Sequence, residues 1–138
     1  MQINGACLCG NITWQASTDP SLAGVCHCSA CQTVGGSAFQ FTARVAREDF
    51  HLNSGELTAY VKIAESGNLS TISFCGRCAT IIHTGNTDDT RLLSLRLGGY
   101  EQKHELEPQF QIWCQSSMDW VELEGGIRMP DQGGVSAR

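Results

Sequence analysis

The chain has 138 residues, a formal net charge of −5, 41% hydrophobic and 17% charged residues, 15 glycines and eight cysteines. Its length suits one domain that buries about two thirds of the surface its unfolded form exposes, and the glycine content favours short strands and tight turns over long helices. Arg44, Arg47, Arg77, Arg91 and Arg96 are scattered singly, which argues against a nucleic-acid partner, because such affinity needs concentrated Lys and Arg.

Met1-Gln2-Ile3-Asn4-Gly5 has no basic region leading into an apolar run, and no run approaches the ~18 apolar residues of a membrane span. The expectation is a cytoplasmic protein without a membrane partner. In that reducing compartment, eight cysteines read as metal ligands or reactive thiols before they read as disulfides.

In chain order, Cys7-Leu8-Cys9 places two thiols on one face of an extended segment, Gly10 permits a bend, and Ile12 and Trp14 continue the alternation as a half-buried strand. Asp19-Pro20-Ser21 is a turn signal, and Leu22 to Val25 leads into Cys26-His27-Cys28-Ser29-Ala30-Cys31, three thiols within six residues. A tetrahedral zinc holds its sulfurs roughly 3.8 Å apart, whereas side chains two along a flat strand stand about 6.6 Å apart, so the backbone must curl here. A helical turn beginning at Ser29 would supply the curl, and its unpaired N–H groups would favour thiolate. His27 points away from the neighbouring thiols and is no ligand.

Val34 to Ser37 reads as a flexible loop, Ala38 to Ala43 as a strand with Phe39 and Phe41 on one face, and Arg44 to Phe50 as a short helical turn in which Glu48-Asp49 is solvated. Ser54-Gly55-Glu56 is a turn, followed by a strand from Leu57 to Val61, a hairpin loop from Glu65 to Asn68, and a strand from Leu69 to Phe74 ending at Cys75. Cys75-Gly76-Arg77-Cys78 has the shape of a zinc knuckle. Its redox alternative requires a strand–helix context, but Thr80 to His83 reads as strand. Arg91 to Leu97 follows after a polar loop from Gly85 to Asp89, and the last strand runs from Phe110 to Cys114. Trp120 closes the core, Cys114 reads as a buried apolar residue, and His51, His83 and His104 as ordinary surface or core residues. One zinc-binding domain over residues 1–130 and a flexible tail over 131–138 are expected.

Cys7, Cys9, Cys75 and Cys78 make a complete tetrahedral set, although the residues alone leave open which pairs share a metal. Either way, seven clustered cysteines leave one site a ligand short. A structural zinc is normally closed by four protein ligands, and a reactive one keeps a position open. The competing reading is a second four-ligand site completed from elsewhere, which would make the protein a non-catalytic binding module.

Gly5-x-Cys7-Leu8-Cys9-Gly10-x-Ile12, Cys26-His27-Cys28-Ser29-x-Cys31 with Gly35, Gly55-x-Leu57-x-x-Tyr60 and Phe74-Cys75-x-x-Cys78 resemble the glutathione-dependent formaldehyde-activating enzyme family, which includes centromere protein V. The resemblance implies a mainly β, zinc-clipped architecture of short antiparallel sheets with little helix, the β-tent. It implies two zinc ions: a structural one on Cys7, Cys9, Cys75 and Cys78, and a catalytic one on Cys26, Cys28 and Cys31. It also implies a carbon–sulfur lyase-type reaction joining glutathione, or a related thiol, to formaldehyde or another small aldehyde. Arg44 and Arg47 are candidate carboxylate partners, and Ser29 or water a candidate proton donor. Two departures stand out: Ala79 replaces the family's glycine after the later CxxC, and Gln111 its late histidine. Ile112-Trp113-Cys114-Gln115-Ser116 offers a late cysteine of the kind methionine-R-sulfoxide reductases use, but it lacks their flanking Arg and Asn.

Overall fold

The computed structural model describes residues 1–63, 67–86 and 91–131. The predicted tail, except Asp131, and parts of the two predicted loops at 65–68 and 85–89 lie outside them. The chain is mainly β, as expected. A three-stranded sheet has the order β1-β2-β5, with β1 Gln2–Ala6, β2 Thr13–Ser17 and β5 Phe50–Ser54. A larger sheet of eight strands has the order β11-β10-β3-β4-β9-β8-β7-β6. Its strands are β3 Ala23–Cys26, β4 Gln40–Ala46, β6 Leu57–Ile63, β7 Leu69–Cys75, β8 Ile81–Asn86, β9 Leu92–Arg96, β10 Phe110–Ile112 and β11 Ile127–Arg128. Pairings are antiparallel except those of β10, which runs parallel to both β3 and β11.

The core lies between the sheets because alternation on both sides supplies apolar side chains to one face. Ile3, Trp14 and Ala16 come from the small sheet, and Ala23, Ala43, Val45, Ile82, Leu93 and Leu95 from the large one. Trp14 meets Tyr100 edge to face at 5.7 Å between ring centroids. The opposite face of the large sheet carries Cys26, Gln40, Thr42 and Arg96. Cys26 stands opposite Gln40, and Thr42 opposite both Gly24 and Arg96, and opposed residues share a face.

Local structure departs from the sequence reading where a turn replaces an extended segment. Cys7 to Gly10 is the β1–β2 turn, closed by Cys7 N–H to the Ile12 carbonyl and Gly10 N–H to the Cys7 carbonyl, each at 2.9 Å. Gly10 takes φ +78 there, where a side chain would be strained. The predicted loop at Val34 to Ser37 is largely helix, since α1 runs over Ser29–Gly35 and is capped by left-handed Gly36. β4 continues through Ala46, so the predicted helical turn shrinks to a 3-10 turn at Arg47–Asp49. The last strand is β11 rather than Phe110 to Cys114, because Trp113 turns left-handed at φ 56 and Cys114–Ser116 forms a 3-10 turn. Trp120 is 75% exposed and does not close the core; Met118 to Leu123 instead wall a cleft.

Gly5 bridges Tyr100 beside the 3-10 turn at Leu97–Gly99, and a Cβ there would lie 2.6 Å from the Gly99 carbonyl and 2.8 Å from the Trp14 ring nitrogen. Gly98 meets nothing within 4 Å. Gly5→Ala should therefore lose about 1–3 kcal/mol in urea unfolding at saturating zinc, with Gly98→Ala changing little.

Candidate metal centres

Two turns, one from each sheet, build the first cluster. The sulfurs of Cys7 and Cys9 from the β1–β2 turn and of Cys75 and Cys78 from the β7–β8 turn all lie within 4.8 Å of one another. Cys7 to Cys9 is 3.6 Å and Cys9 to Cys75 is 3.8 Å, against roughly 3.8 Å for sulfurs on a tetrahedral zinc. The donor set and spacing fit that metal. Backbone donors aim at the sulfurs: Ile12 N–H lies 3.2 Å from Cys7 Sγ, and Arg77 N–H lies 3.4 Å from Cys75 Sγ.

Thr80, which sequence reasoning passed over, joins the two turns. Its hydroxyl accepts from Leu8 N–H at 3.1 Å and donates to Cys78 Sγ at 3.2 Å. The Thr80 hydroxyl and backbone N–H, together with that of Cys9, hold the Cys78 thiol down to about 5. Ala79 beside it adopts φ +66, so the residue that departs from the family pattern carries backbone strain.

The second cluster forms where β3 ends and α1 begins, and the sulfurs of Cys26, Cys28 and Cys31 lie within 4.8 Å of one another. The curl comes from the helix start predicted at Ser29. Cys28 is the N-cap of α1, and its sulfur accepts from Cys31 N–H at 3.3 Å. Without a metal the trio shares its charge unevenly. Hydrogen bonds from Cys26 and Cys31 push Cys28 down to about 2, and the same bonds, with burial, push Cys26 up. Among the described residues no fourth side chain joins this set. Cys114 is half-buried rather than buried, stands outside both clusters, and points its thiol at the Gln111 carbonyl at 3.5 Å.

His27 is fully buried and is not a ligand. Its Nε2 lies 3.0 Å from Gln111 Oε1, which also accepts from Arg128 Nη1 at 2.9 Å. Gln111 Nε2 donates to the Leu123 and Gly125 carbonyls, which fixes its oxygen as acceptor and makes His27 the donor. Gln32 Nε2 reaches the His27 carbonyl at 2.7 Å and the Ser116 carbonyl at 2.9 Å. The residue between the first two thiols of the trio is thus pinned on both sides. Gln111 had drawn notice only as a departure from the family.

Arg96, which sequence reasoning did not single out, is a cation that interacts with the second cluster. It is 9% exposed, its Nε has no hydrogen-bond partner, and burial lowers its pKa while Cys31, Cys26 and Cys28 raise it. It also lines a cleft of about 320 Å³ with Gln40, Phe41, Thr80 and Gly98. A lone arginine ending the apolar run Leu92 to Leu97 was the signal available in the sequence, since such a charge seldom enters a buried strand unpaired.

Fold and site together define a mainly β domain whose two cysteine clusters can hold metal ions. A family model described as glutathione-dependent formaldehyde-activating enzyme matches residues 2–116, and the chain belongs to that family. The crystal structure of a Rhodobacter sphaeroides protein, a structural genomics target, is similar at a TM-score of 0.57 over 93% of this chain and 98% of that one. At 17% identity the likeness concerns the fold alone. No curated protein matches the sequence. Among the described residues no helix is long and apolar enough to cross a membrane.

The strained turn gives a direct test of the first centre. Ala79→Gly should raise stability by up to about 1 kcal/mol in urea unfolding with zinc content unchanged, because glycine occupies φ +66 without the side-chain penalty.

Proposed function

We propose that this protein is a zinc-dependent enzyme of the carbon–sulfur lyase class, similar to S-(hydroxymethyl)glutathione synthase. It joins glutathione, or a related thiol, to formaldehyde or another small aldehyde at Cys26, Cys28 and Cys31. Cys7, Cys9, Cys75 and Cys78 hold a second, structural zinc. The observation that carries this reading is the contrast between a four-sulfur cluster tying two sheets together and a three-sulfur cluster beside a buried guanidinium whose Nε has no hydrogen-bond partner. Family membership supports the thiol and the aldehyde.

Zinc bound at the three-sulfur site supplies acidity, ionising at neutral pH a thiol that takes the remaining position. In the reaction a sulfur–carbon bond forms, the carbonyl π pair becomes a lone pair on oxygen, and one proton neutralises that oxygen. The chain's own residues prepare the site for this. Cys31 N–H and the start of α1 stabilise negative sulfur at Cys28. Arg96 offsets the charge of the sulfurs and of the developing oxygen in a setting from which water is largely displaced. Ser29, exposed on the first turn of α1, or water supplies the proton. All eight cysteines are free, which supports a reducing compartment such as the cytoplasm. The net charge of −5 supports small-molecule rather than nucleic-acid partners.

The two centres should respond differently to ligand loss. Cys75→Ala should fail to fold, since apparent zinc affinity in structural sites, about 10–16 kcal/mol, rivals the stability of a whole domain. Cys28→Ala should lose one zinc of two and keep its far-ultraviolet circular dichroism. Equal damage from both would leave only the binding-module reading.

Exchange spectroscopy on labelled formaldehyde with glutathione tests the reaction itself. The protein should accelerate exchange, Cys28→Ala should abolish the acceleration, and Arg96→Gln should reduce it about 100-fold at unchanged zinc content. A rate no faster than the uncatalysed one would sink the proposed reaction.

A further inference from the structure

The two edges of the eight-stranded sheet are built differently. β11 is two residues long and ends in Arg128, which blunts it as a pairing surface. β6 has seven residues, Leu57-Thr58-Ala59-Tyr60-Val61-Lys62-Ile63, with no proline and an unbroken register against β7. Among the described residues nothing pairs with its outer edge. Tyr60 is 57%, Val61 53% and Ile63 73% exposed, so the strand presents apolar side chains as well as unpaired backbone. Long, flat, apolar edges of this kind are ordinarily defended or used.

The sequence of β6 says what it fits. Leu57, Ala59, Val61 and Ile63 share one face, and Thr58, Tyr60 and Lys62 the other. Laid antiparallel against itself about Tyr60, the strand sets Leu57 opposite Ile63, Ala59 opposite Val61, Thr58 opposite Lys62 and Tyr60 opposite its own copy. One face of that pair is wholly apolar. On the other, each Lys62 faces a threonine instead of a second lysine, so like charges never oppose. β6 also contains none of the chain's 14 acidic residues, which makes it a weakly repelling edge on a chain of net charge −5.

We infer that β6 pairs antiparallel with β6 of a second copy of this chain, about a two-fold axis at Tyr60, giving a homodimer whose large sheets run on into one another. A two-fold contact of this kind is isologous and closes, so it stops at two copies. Both clusters lie outside β6, and the inference is independent of the chemistry proposed for them.

Sedimentation equilibrium on the full zinc-loaded chain should show a monomer–dimer equilibrium. Val61→Lys, at a position already half exposed, should weaken it at least about tenfold, with zinc content and circular dichroism unchanged. Register is tested by thiol cross-linking. Residues opposite one another across an antiparallel pair have Cα atoms about 4.5–5.5 Å apart, within disulfide range, so Tyr60→Cys should form a cross-linked dimer on mild oxidation. Val61→Cys, facing Ala59, should cross-link no more than wild type. A monomer at all concentrations overturns the inference, and if its β6 amides resist hydrogen exchange, another segment or partner covers the edge. A dimer indifferent to Val61→Lys, or equal cross-linking from the two cysteine variants, also overturns it.

Discussion

Four sulfurs from two turns meet at one point, and the relation between the sheets depends on that meeting. The β1–β2 turn belongs to the small sheet and the β7–β8 turn to the large one, so Cys7, Cys9, Cys75 and Cys78 form the polar end of the same interface whose apolar part is Trp14, Leu93 and Leu95. Without a metal, gathering four sulfurs within 4.8 Å would leave thiols partly stripped of water with only each other as partners. With one, the same gathering contributes binding free energy to folding. Thr80, bonded to both turns, holds them in place relative to one another and so lowers the ordering cost of assembling the set.

The second cluster sits on the other face of the large sheet, and different forces hold it. Cys26 is fixed by its place in β3, Cys28 by capping α1, and Cys31 by the helix itself. The His27–Gln111 bond then stops the intervening backbone from relaxing. Were a dication held there, three thiolates around it would leave one net negative charge, which the positive charge of Arg96 would offset. A buried guanidinium is costly on its own, and the sulfurs of Cys31, Cys26 and Cys28 favour its charged form. The sequence places them far apart because Arg96 lies two strands away from Cys26, reaching it across Thr42.

Cysteine type and spacing made both cysteine clusters legible in the sequence, because few physical arrangements explain three thiols in six residues. The mainly β class was legible from glycine content and alternation. What was not legible shares one cause: it depends on partners far along the chain. Extended geometry for Cys7 to Cys9 was the local default, but the requirement for sulfurs near one another bends the segment into a turn. Trp120 looked like core by residue type, yet it stands 75% exposed on the wall of a cleft. Gln111 reads as a lost histidine until its amide is seen accepting from His27 and Arg128 while donating to two carbonyls. Arg96 was one scattered cation among nine until the sheet register put it on the face that carries Cys26.

The separation of the two clusters matters for chemistry as well as for stability. A site that admits and releases a ligand changes charge and coordination with every turnover, and a fold resting on such a site would be loosened each time. Here the sheets are joined by the closed set, whose sulfurs receive backbone N–H groups and whose neighbours are core side chains. The three-sulfur set is braced by strand, helix cap and a buried polar network. Identical donor atoms therefore serve two ends, and the difference between them lies in ligand number and in what each cluster connects.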